Sequence, residues 1–527
     1  MENKSSGPNE LVKYFGLGTG IILIISSIIG SGVYKKVAAM SILAESPQLI
    51  LLAWVLAGIV TLLGVLSLAE IAMLMPESGG SFVYLNRIYG EKWGYFYGWA
   101  SFACIQSAST AAIAYVFAQS LNAIYPLPSL GGEWETMTVL WIFQPFANIG
   151  VKLTAVALII LLTAVNYTGV RKGGGLSNII TIIVVISLIA IIIMGLTMGG
   201  GSWSNLTTKA SSYPPDKMGE DFGLLKVIFG TMLASFWAYE GWINIGFVGD
   251  EIKNPQRNIP KILIYGILII MGIYVLVNMT YLYVLPIDEM MAVAKSDNGV
   301  AAVEVIRKFM GDGGAFAISL LIVITTAGCT NSTILTSARI YYAMAKEKMF
   351  FKSAAYVHPT YKVPTKSLII FSIWSCILVF SGTFDQLTDM LVFVQFIFYG
   401  LVIYGVFILR KKMPNAERSY KVIGYPVVPA LYVLFCIGLL INTLMEQSRE
   451  AGIGLFLTVL GTPFYYNFRK QVPLIWALLS FLFPIIGFVL YFKFKKTDKG
   501  LSKSVLELSL ISMVVSFVAY IFFTFIV

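Results

Sequence analysis

The chain has 527 residues, of which 57% are hydrophobic and 12% are charged. This is far more apolar surface than one soluble core can bury, so the composition excludes an ordinary soluble protein and predicts a membrane protein with several spans. The net charge of +10 does not indicate a nucleic-acid partner, because the basic residues lie in short loops between apolar runs and form no continuous face.

Helices long enough to cross a bilayer are predicted along the whole chain. Twelve apolar runs are interpreted as spans, at 17–38, 47–75, 93–124, 151–168, 176–198, 223–248, 260–285, 314–345, 366–381, 386–409, 425–445 and 451–468. With a cytoplasmic N-terminus, the predicted inner loops hold about twenty basic residues and the outer loops about ten, which favours this orientation in the cell membrane.

Two further runs, near 472–492 and 505–526, leave the number of spans at 12, 13 or 14. If each crosses the membrane once, a lysine-rich segment lies outside, against the charge pattern of the rest of the chain. Pro484 and Gly487 interrupt the first of these runs, and a re-entrant segment there would return the lysines to the cytoplasm. The lysines are Lys493, Lys495, Lys496, Lys499 and Lys503.

Chemistry based on cysteine or histidine is not expected. The only histidine, His358, precedes Pro359 in a polar loop, so no histidine-based catalytic site can form at the membrane core. The cysteines each lie alone in an apolar run, without the spacing of a disulfide, redox or metal motif. They are Cys104, Cys329, Cys376 and Cys436. We predict no cofactor, no metal and no enzymatic activity.

Two runs are interrupted by residues that a lipid-facing helix rarely carries. The first run contains Gly30-Ser31-Gly32, and the sixth contains Glu240 and Gly241 between large aromatic residues. A helix broken inside the membrane leaves backbone N–H and C=O groups that must meet protein, water or a ligand. Interpreted as one site, the N–H groups of the first break would bind an anion and the carbonyls of the second an ammonium, which are the two ends of a zwitterion.

Each of these features also has a purely structural interpretation. Small-residue helix packing accounts for the glycines of the first run, and core packing accounts for Trp237 and Tyr239. Glu240 favours a functional role, because an ionisable residue deep in a span is costly and no intramembrane Lys or Arg is an evident partner. The interrupted runs start five spans apart, which is the pattern of two inverted five-helix repeats.

Three stretches resemble motifs of the amino acid-polyamine-organocation superfamily. Residues 28–34, Ile-Ile-Gly-Ser-Gly-Val-Tyr, resemble its first-helix motif. Glu70, followed by Pro-Glu-Ser-Gly-Gly-Ser-Phe-Val-Tyr-Leu at 76–85, resembles its second-helix exit. Residues 236–242 with the loop 250–260 resemble the sixth helix of the L-type amino acid transporter branch and of bacterial serine/threonine exchangers.

The resemblance implies an all-α polytopic membrane protein with a five-plus-five inverted-repeat transporter fold. Helices 1 and 6 would be discontinuous, helices 11 and 12 would be added, and one or two extra C-terminal hydrophobic helices would follow. The corresponding division is a cytoplasmic N-terminal segment 1–16, a first repeat 17–198, a second repeat 199–410, helices 11 and 12 at 411–468 and extra membrane segments at 469–527.

A substrate site between helices 1 and 6 is also implied by the resemblance. Ser31 and Gly32 would hold the substrate carboxylate, and carbonyls of Ile28, Phe236 and Tyr239 would hold its amino group. The implied substrate-binding residues are Ile28, Gly30, Ser31, Gly32, Phe236, Trp237, Ala238, Tyr239, Gly241, Gln395 and Phe396, with Trp237 as a lid and the last two in the side-chain pocket.

The sequence departs from the superfamily pattern in places that bear on coupling and partners. Where many sodium-independent relatives carry a fifth-helix lysine, this chain has Val184. Thr325 and Thr326 keep sodium coupling open, although hydroxyls bonded back to their own helix also account for them. Residues 125–150 contain no cysteine, so no obligatory protein partner is predicted.

The predicted function is secondary active transport of small or neutral zwitterionic L-amino acids with alternating access. Exchange and proton-coupled symport both remain open, and Glu240 is the candidate proton carrier. The alternatives are a transporter of cationic amino acids or polyamines, in which Glu240 pairs with the substrate, and a channel or sensor with the same fold. A channel is disfavoured because the polar residues of the spans form no continuous stripe.

Overall fold

The computed structural model describes residues 16–75, 80–139, 143–168, 173–198, 200–213, 223–243, 252–296 and 298–525. These ranges are mostly helical and contain no β-strand longer than an isolated bridge residue, such as the bridge between Val139 and Phe143. The prediction of an all-α protein is confirmed.

The first half of the described chain contains ten helices. They are α1 (Leu17–Ile28), α2 (Gly32–Ala44), α3 (Pro47–Leu74), α4 (Gly80–Tyr89), α5 (Glu91–Ala100), α6 (Gln106–Ile124), α7 (Glu133–Thr136), α8 (Ile149–Tyr167), α9 (Gly173–Met198) and α10 (Gly223–Tyr239). A π-helical turn at Ser101–Ile105 joins α5 to α6, so the two form one long rod.

The second half contains eleven helices. They are α11 (Pro255–Val284), α12 (Ile287–Lys295), α13 (Ala301–Lys346), α14 (Thr365–Ser381), α15 (Phe384–Lys412), α16 (Val427–Glu446), α17 (Ser448–Val459), α18 (Gly461–Lys470), α19 (Leu474–Leu482), α20 (Pro484–Phe494) and α21 (Lys499–Phe525). Gly311, at φ 66°, divides α13 into a short and a long arm.

Many helices in the described ranges are long enough to span a membrane. Eight helices are long and apolar enough to cross a bilayer, and the bent pair α1 and α2 makes nine. Shorter apolar helices at Ile182–Met198, Gly223–Tyr239, Thr365–Ser381 and Pro484–Phe494 add to these. The protein is therefore a multi-pass membrane protein.

Contacts between distant helix ends define two sides of the bundle. We call the side on which α1 begins the N-terminal side, and the other the far side. On the far side, the backbone N–H of Ala210 donates to Glu45 O at 2.9 Å, and that of Ser202 donates to Tyr283 O at 3.0 Å. On the N-terminal side, the end of α3 meets the end of α15 through an ion pair. The ends of α2 and α11 therefore lie on the far side and the ends of α3 and α15 on the N-terminal side, as expected for spans that alternate in direction.

Both interrupted runs are broken helices. The axes of α1 and α2 differ by 45°, with Ile29 in extended conformation between them. α10 ends at Tyr239, and Gly241 follows with φ 114°, a conformation that residues with a Cβ rarely adopt. The break in the sixth run thus begins after Tyr239, because Phe236 to Tyr239 still belong to the helix and the chain turns at the glycine. The inverted repeat stays a prediction.

The helices α19 and α20 fold back on one another at Pro484. A Cβ added to Gly487 would lie 2.9 Å from the Cβ of Ser480. In a straight helix, seven residues would separate these positions by about 10 Å along the axis. The run near 472–492 is therefore a sharply bent hairpin and not one straight span.

The last helix, α21, fixes the side on which this hairpin begins and ends. Tyr466 of α18 donates to Glu507 at 2.9 Å, and Ser502 donates to the carbonyl of Tyr491 at 3.0 Å. The end of α18, the end of α20 and the start of α21 therefore lie at one side, which is the N-terminal side because α18 also contacts the start of α5. This geometry favours the re-entrant alternative, with α21 as the thirteenth crossing.

Candidate functional site

The two helix breaks contact each other. A Cβ added to Gly32, the first residue of α2, would lie 2.8 Å from Ala238 Cα and 3.0 Å from Trp237 Cδ1. A Cβ added to Gly241 would collide with the carbonyl of Ser27. Glycine is needed at both positions because the two backbones approach so closely.

A hydroxyl group from α11 joins the two breaks. Tyr274 Oη lies 3.3 Å from the carbonyl oxygen of Ile28 and 2.9 Å from that of Ala238. A phenol carries one hydrogen, so it donates to one of these carbonyls at a time. Tyr274 was not predicted as a site residue, because a tyrosine in an apolar span carries no motif signal of its own.

Polar atoms without partners surround the contact. Within the described residues, Ser31 Oγ and Trp237 Nε1 have no hydrogen-bond partner, although Ser31 is 1% and Trp237 is 7% exposed. A Cβ added to Gly30 would have only the Ile28 carbonyl within 4.0 Å, so the backbone there borders open space. A buried polar atom without a partner costs about 1–3 kcal/mol, which a bound ligand would recover.

Glu240 lies at the second break and is held by neutral donors. Tyr399 Oη is 2.7 Å and 2.9 Å from its two carboxylate oxygens, and Gln395 Nε2 is 2.5 Å from one of them. Gln395 and Tyr399 are one helical turn apart on α15, so both point to the same place. Gln395 was predicted to line a side-chain pocket, but its amide contacts Glu240, and Tyr399 was missed.

The remaining aromatic residues of the predicted site point in different directions. The rings of Phe236 and Phe396 are 4.5 Å apart and pack together. The hydroxyl of Tyr239 donates to the carbonyl of Trp54 in α3 at 3.0 Å. This hydroxyl therefore already has a partner within the protein.

A buried charged layer covers the site towards the far side. Lys36, which is 0% exposed, lies 2.8 Å from Asp385 and 3.2 Å from Asp389. The ring of Phe384 lies 5.1 Å from the Lys36 ammonium and 6.2 Å from the Trp237 ring. These contacts connect α2 to the start of α15 directly above the helix breaks.

The same layer includes a second lysine. Lys35 donates to Gln119 of α6, and its ammonium lies 4.8 Å from the Phe384 ring. Sequence reasoning missed the layer, although two adjacent lysines at the end of the first run are a visible signal of buried charge.

On the N-terminal side, a second ion cluster joins α3 to α15. Glu70, which is 1% exposed, accepts hydrogen bonds from Arg410 at 3.0 and 2.7 Å and from Arg418 at 3.1 Å. The backbone N–H of Val422 adds a bond of 2.7 Å. The predicted motif residue Glu70 therefore fixes the loop after α15 to the end of α3.

Three residues that bear on ion coupling are either buried or hydrogen-bonded within their own helix. Val184 is buried at 5% exposure. The hydroxyls of Thr325 and Thr326 both donate to the carbonyl of Ile322, at 3.1 and 2.5 Å, as expected for bonding back to their own helix. Among the described residues, no cluster of three metal-ligating side chains occurs.

Comparisons with known proteins agree with this architecture. The model of the family described as "Amino acid permease" matches residues 15–462. The serine/threonine exchanger SteT of Bacillus subtilis (strain 168) is 29% identical over 465 residues, covering 88% of this chain and 98% of its own. The human b(0,+)-type amino acid transporter 1 is 28% identical over 475 residues, covering 89% and 90%. The mouse large neutral amino acids transporter small subunit 2 is 27% identical over 468 residues, covering 88% and 82%.

Proposed function

The chain belongs to the amino acid permease family, and from this premise we propose that it transports small or neutral zwitterionic amino acids across the cell membrane. The substrate binds between the α1–α2 break and the end of α10, and the protein exposes it to one side of the membrane at a time. Similar proteins named as amino acid exchangers and transporters support this proposal over a channel, a sensor or an enzyme.

The observation that carries the proposal is the contact between two helix breaks lined by unpartnered polar atoms. The substrate carboxylate binds the N-terminal end of α2, where backbone N–H groups and the Ser31 hydroxyl are available. The open space at Gly30 admits the ligand beside the backbone. Trp237, whose indole N–H has no partner among the described residues, closes over it.

The substrate ammonium binds carbonyls at the ends of α1 and α10. The Tyr274 hydroxyl satisfies either Ile28 or Ala238 and leaves the other oxygen for the ligand. We also propose contacts to the carbonyls of Phe236 and Tyr239, which lie in the last turn of α10. An amino acid thus meets donor groups at the start of α2 and acceptor groups at the ends of α1 and α10.

Glu240 is the proposed proton carrier. Its two partners, Gln395 and Tyr399, are neutral, so the carboxylate can gain a proton without leaving a buried cation unpaired. Both partners already donate to it, which disfavours the alternative in which a cationic substrate pairs with Glu240 directly. The buried lysines Lys35 and Lys36 have other partners and do not compete for it.

The N-terminal side is proposed to be cytoplasmic. The hairpin α19–α20 returns the lysine-rich segment to this side, where it adds to the excess of basic loops that the orientation requires. We also propose that the chain works without an obligatory protein partner, since residues 125–150 offer no cysteine for a disulfide. The name of the mouse relative includes the words "small subunit", and these words apply to that protein only.

Counterflow in proteoliposomes tests the proposed function. Vesicles are loaded with one unlabelled amino acid, which is serine, threonine, alanine, leucine or lysine. They are then diluted into a solution of that same amino acid in labelled form. We expect accumulation for at least one neutral amino acid, and a loss of at least about tenfold in Gly32→Val, because the added side chain collides with Ala238. Gly272→Val, at a position with no atom within 4 Å of an added Cβ, is the control and keeps transport. Accumulation of lysine alone, or of none, would contradict the proposal.

A further inference from the structure

The C-terminal hairpin and α21 form a cluster of lysines at one membrane surface. Asp498 is the single acidic residue between positions 493 and 503. All five lysines are exposed, and within the described ranges none of them forms an ion pair. They are Lys493, Lys495, Lys496, Lys499 and Lys503, which we call the lysine cluster.

The surface that leads to the lysine cluster is apolar. On α20, Ile485, Val489 and Phe492 are 79%, 62% and 68% exposed, and their spacing of four and three residues places them on one face. On a helix of a membrane protein, such a stripe is typical of a surface in contact with lipid chains. The stripe ends at Phe492, so the membrane surface crosses α20 where the lysines begin.

Aromatic rings fix the depth of the first lysines. The ammonium of Lys493 lies 5.6 Å from the Trp476 ring, and that of Lys495 lies 5.5 Å from the Tyr491 ring. Tryptophan and tyrosine are typical of the membrane interface, and lysine extends its charge towards the phosphates from an apolar stem. The ammonium groups therefore lie at headgroup depth.

We propose that the lysine cluster binds the phosphates of anionic phospholipids in the leaflet on the N-terminal side. Five lysines with Asp498 as the single acidic residue among them, beside a lipid-facing stripe, match a negatively charged membrane surface, and each added positive charge strengthens binding. A soluble acidic partner would not need the apolar stripe. The site lies on the C-terminal hairpin and α21, away from the helix breaks, so it does not depend on the proposed transport function.

Lipid-dependent melting of the purified full-length chain tests this proposal. In a neutral detergent, dioleoylphosphatidylglycerol is titrated while the apparent Tm is followed, with dioleoylphosphatidylcholine and sodium phosphate as separate probes. We expect phosphatidylglycerol to raise the Tm saturably and the other two to have no effect. The shift weakens with added salt, because the attraction is screened.

A matched pair of variants distinguishes lipid binding at the lysine cluster from a general effect of positive charge near the membrane. One variant changes the five cluster lysines to Gln. The other changes five exposed lysines in the loop between α13 and α14 and at the adjoining ends of these helices, on the same side of the membrane. The control positions are Lys346, Lys348, Lys352, Lys362 and Lys366. The cluster variant should need at least about tenfold more phosphatidylglycerol for half of the Tm shift, and the control variant should behave as the wild type.

Three results would overturn the proposal. They are an unchanged titration in the cluster variant, an equal loss in the control variant, and a response to sodium phosphate equal to that to phosphatidylglycerol. If the cluster variant does not fold, K493Q/K495Q/K496Q and K499Q/K503Q are compared, and each should show a smaller loss of the same kind.

Discussion

At the residue scale, the distinctive feature of the candidate site is a carboxylate that has no cationic partner among the described residues. Glu240 is held by Tyr399 and Gln395, whose hydrogen bonds satisfy its oxygens at 2.5–2.9 Å. A structural carboxylate in a span is usually paired with Lys or Arg, as Asp385 is with Lys36. Neutral partners tolerate both protonation states, because Tyr399 and Gln395 can each accept a hydrogen bond as well as donate one.

This arrangement predicts a specific effect of Glu240→Gln. Gln keeps the size of the side chain and its contact with Gln395 and Tyr399, but it cannot gain or lose a proton. If transport is proton-coupled, we expect the pH dependence of uptake to disappear, with uptake at the wild-type optimum reduced about tenfold or more. The measurement is initial uptake of a neutral amino acid from pH 5 to pH 8 in proteoliposomes.

The control for this prediction is Glu289→Gln, a surface carboxylate of α12 that pairs with Lys308. Its pH profile should match that of the wild type. A Glu240→Gln variant that keeps the wild-type pH dependence would remove Glu240 as the proton carrier. Selective loss of uptake of cationic amino acids would instead support the pairing of Glu240 with the substrate.

At the element scale, α2 and α15 form the far-side cover of the site through Lys36, Asp385 and Asp389. Lys36 is fully buried, whereas Asp385 and Asp389 have side chains that are 38% and 15% exposed. Loss of the ion pairs therefore costs the lysine more than the aspartates, because an unpaired charge is more costly when it is fully buried than when it is partly exposed. In the proposed transport cycle, substrate entry from the far side requires these helices to separate.

Neutralising both aspartates should destabilise this cover. D385N/D389N leaves Lys36 buried without a counter-charge, which we expect to cost about 3 kcal/mol, while either single substitution keeps one partner and costs less. The apparent Tm in detergent measures the effect. Adding K36M to the double variant removes the unpaired charge and should restore most of the lost Tm. A double variant that melts like the wild type would show that the layer does not hold α2 against α15.

How far these elements were predictable depends on the kind of signal. Both helix breaks follow from the sequence, since glycines and a carboxylate in an apolar run violate the local rules for a span, and the contact between Gly32 and Ala238 agrees with a joint site. The exact end of α10 could not be predicted from the sequence, because the residues before Gly241 are compatible with both a helical and an unwound backbone. Tyr274 and Tyr399 were missed because a buried hydroxyl becomes informative only when its distant acceptor is known.

At the scale of the whole molecule, the C-terminal extension changes the topology. Tyr466, Val472, Ala477, Phe481, Leu490, Val505 and Leu508 form a small core of its own. The sequence did not decide between a hairpin and a span at residues 472–492, because Pro484 is compatible with a kinked span and with a sharp turn. The contact between Gly487 and Ser480 favours the turn, since a kink cannot bring these positions together.

Two reporter fusions distinguish a chain with thirteen crossings from one with fourteen. With a re-entrant hairpin and thirteen crossings, position 497 lies on the same side as the N-terminus and the C-terminus lies on the opposite side. If residues 472–492 span the membrane and the chain has fourteen crossings, position 497 lies on the opposite side from the N-terminus and the C-terminus lies on the same side as the N-terminus. We therefore expect a fluorescent protein inserted at 497 to mature in the cytoplasm and alkaline phosphatase fused to the C-terminus to be active outside the cell.

A fusion in the loop between α13 and α14, at position 360, provides the reference for this experiment. It should behave like the fusion at 497, because both positions lie on the N-terminal side. Phosphatase activity at 497 together with fluorescence at the C-terminus would show that α19 and α20 cross the membrane as one span. That result would also place the lysine cluster on the far side, where the charge distribution of the other loops does not favour it.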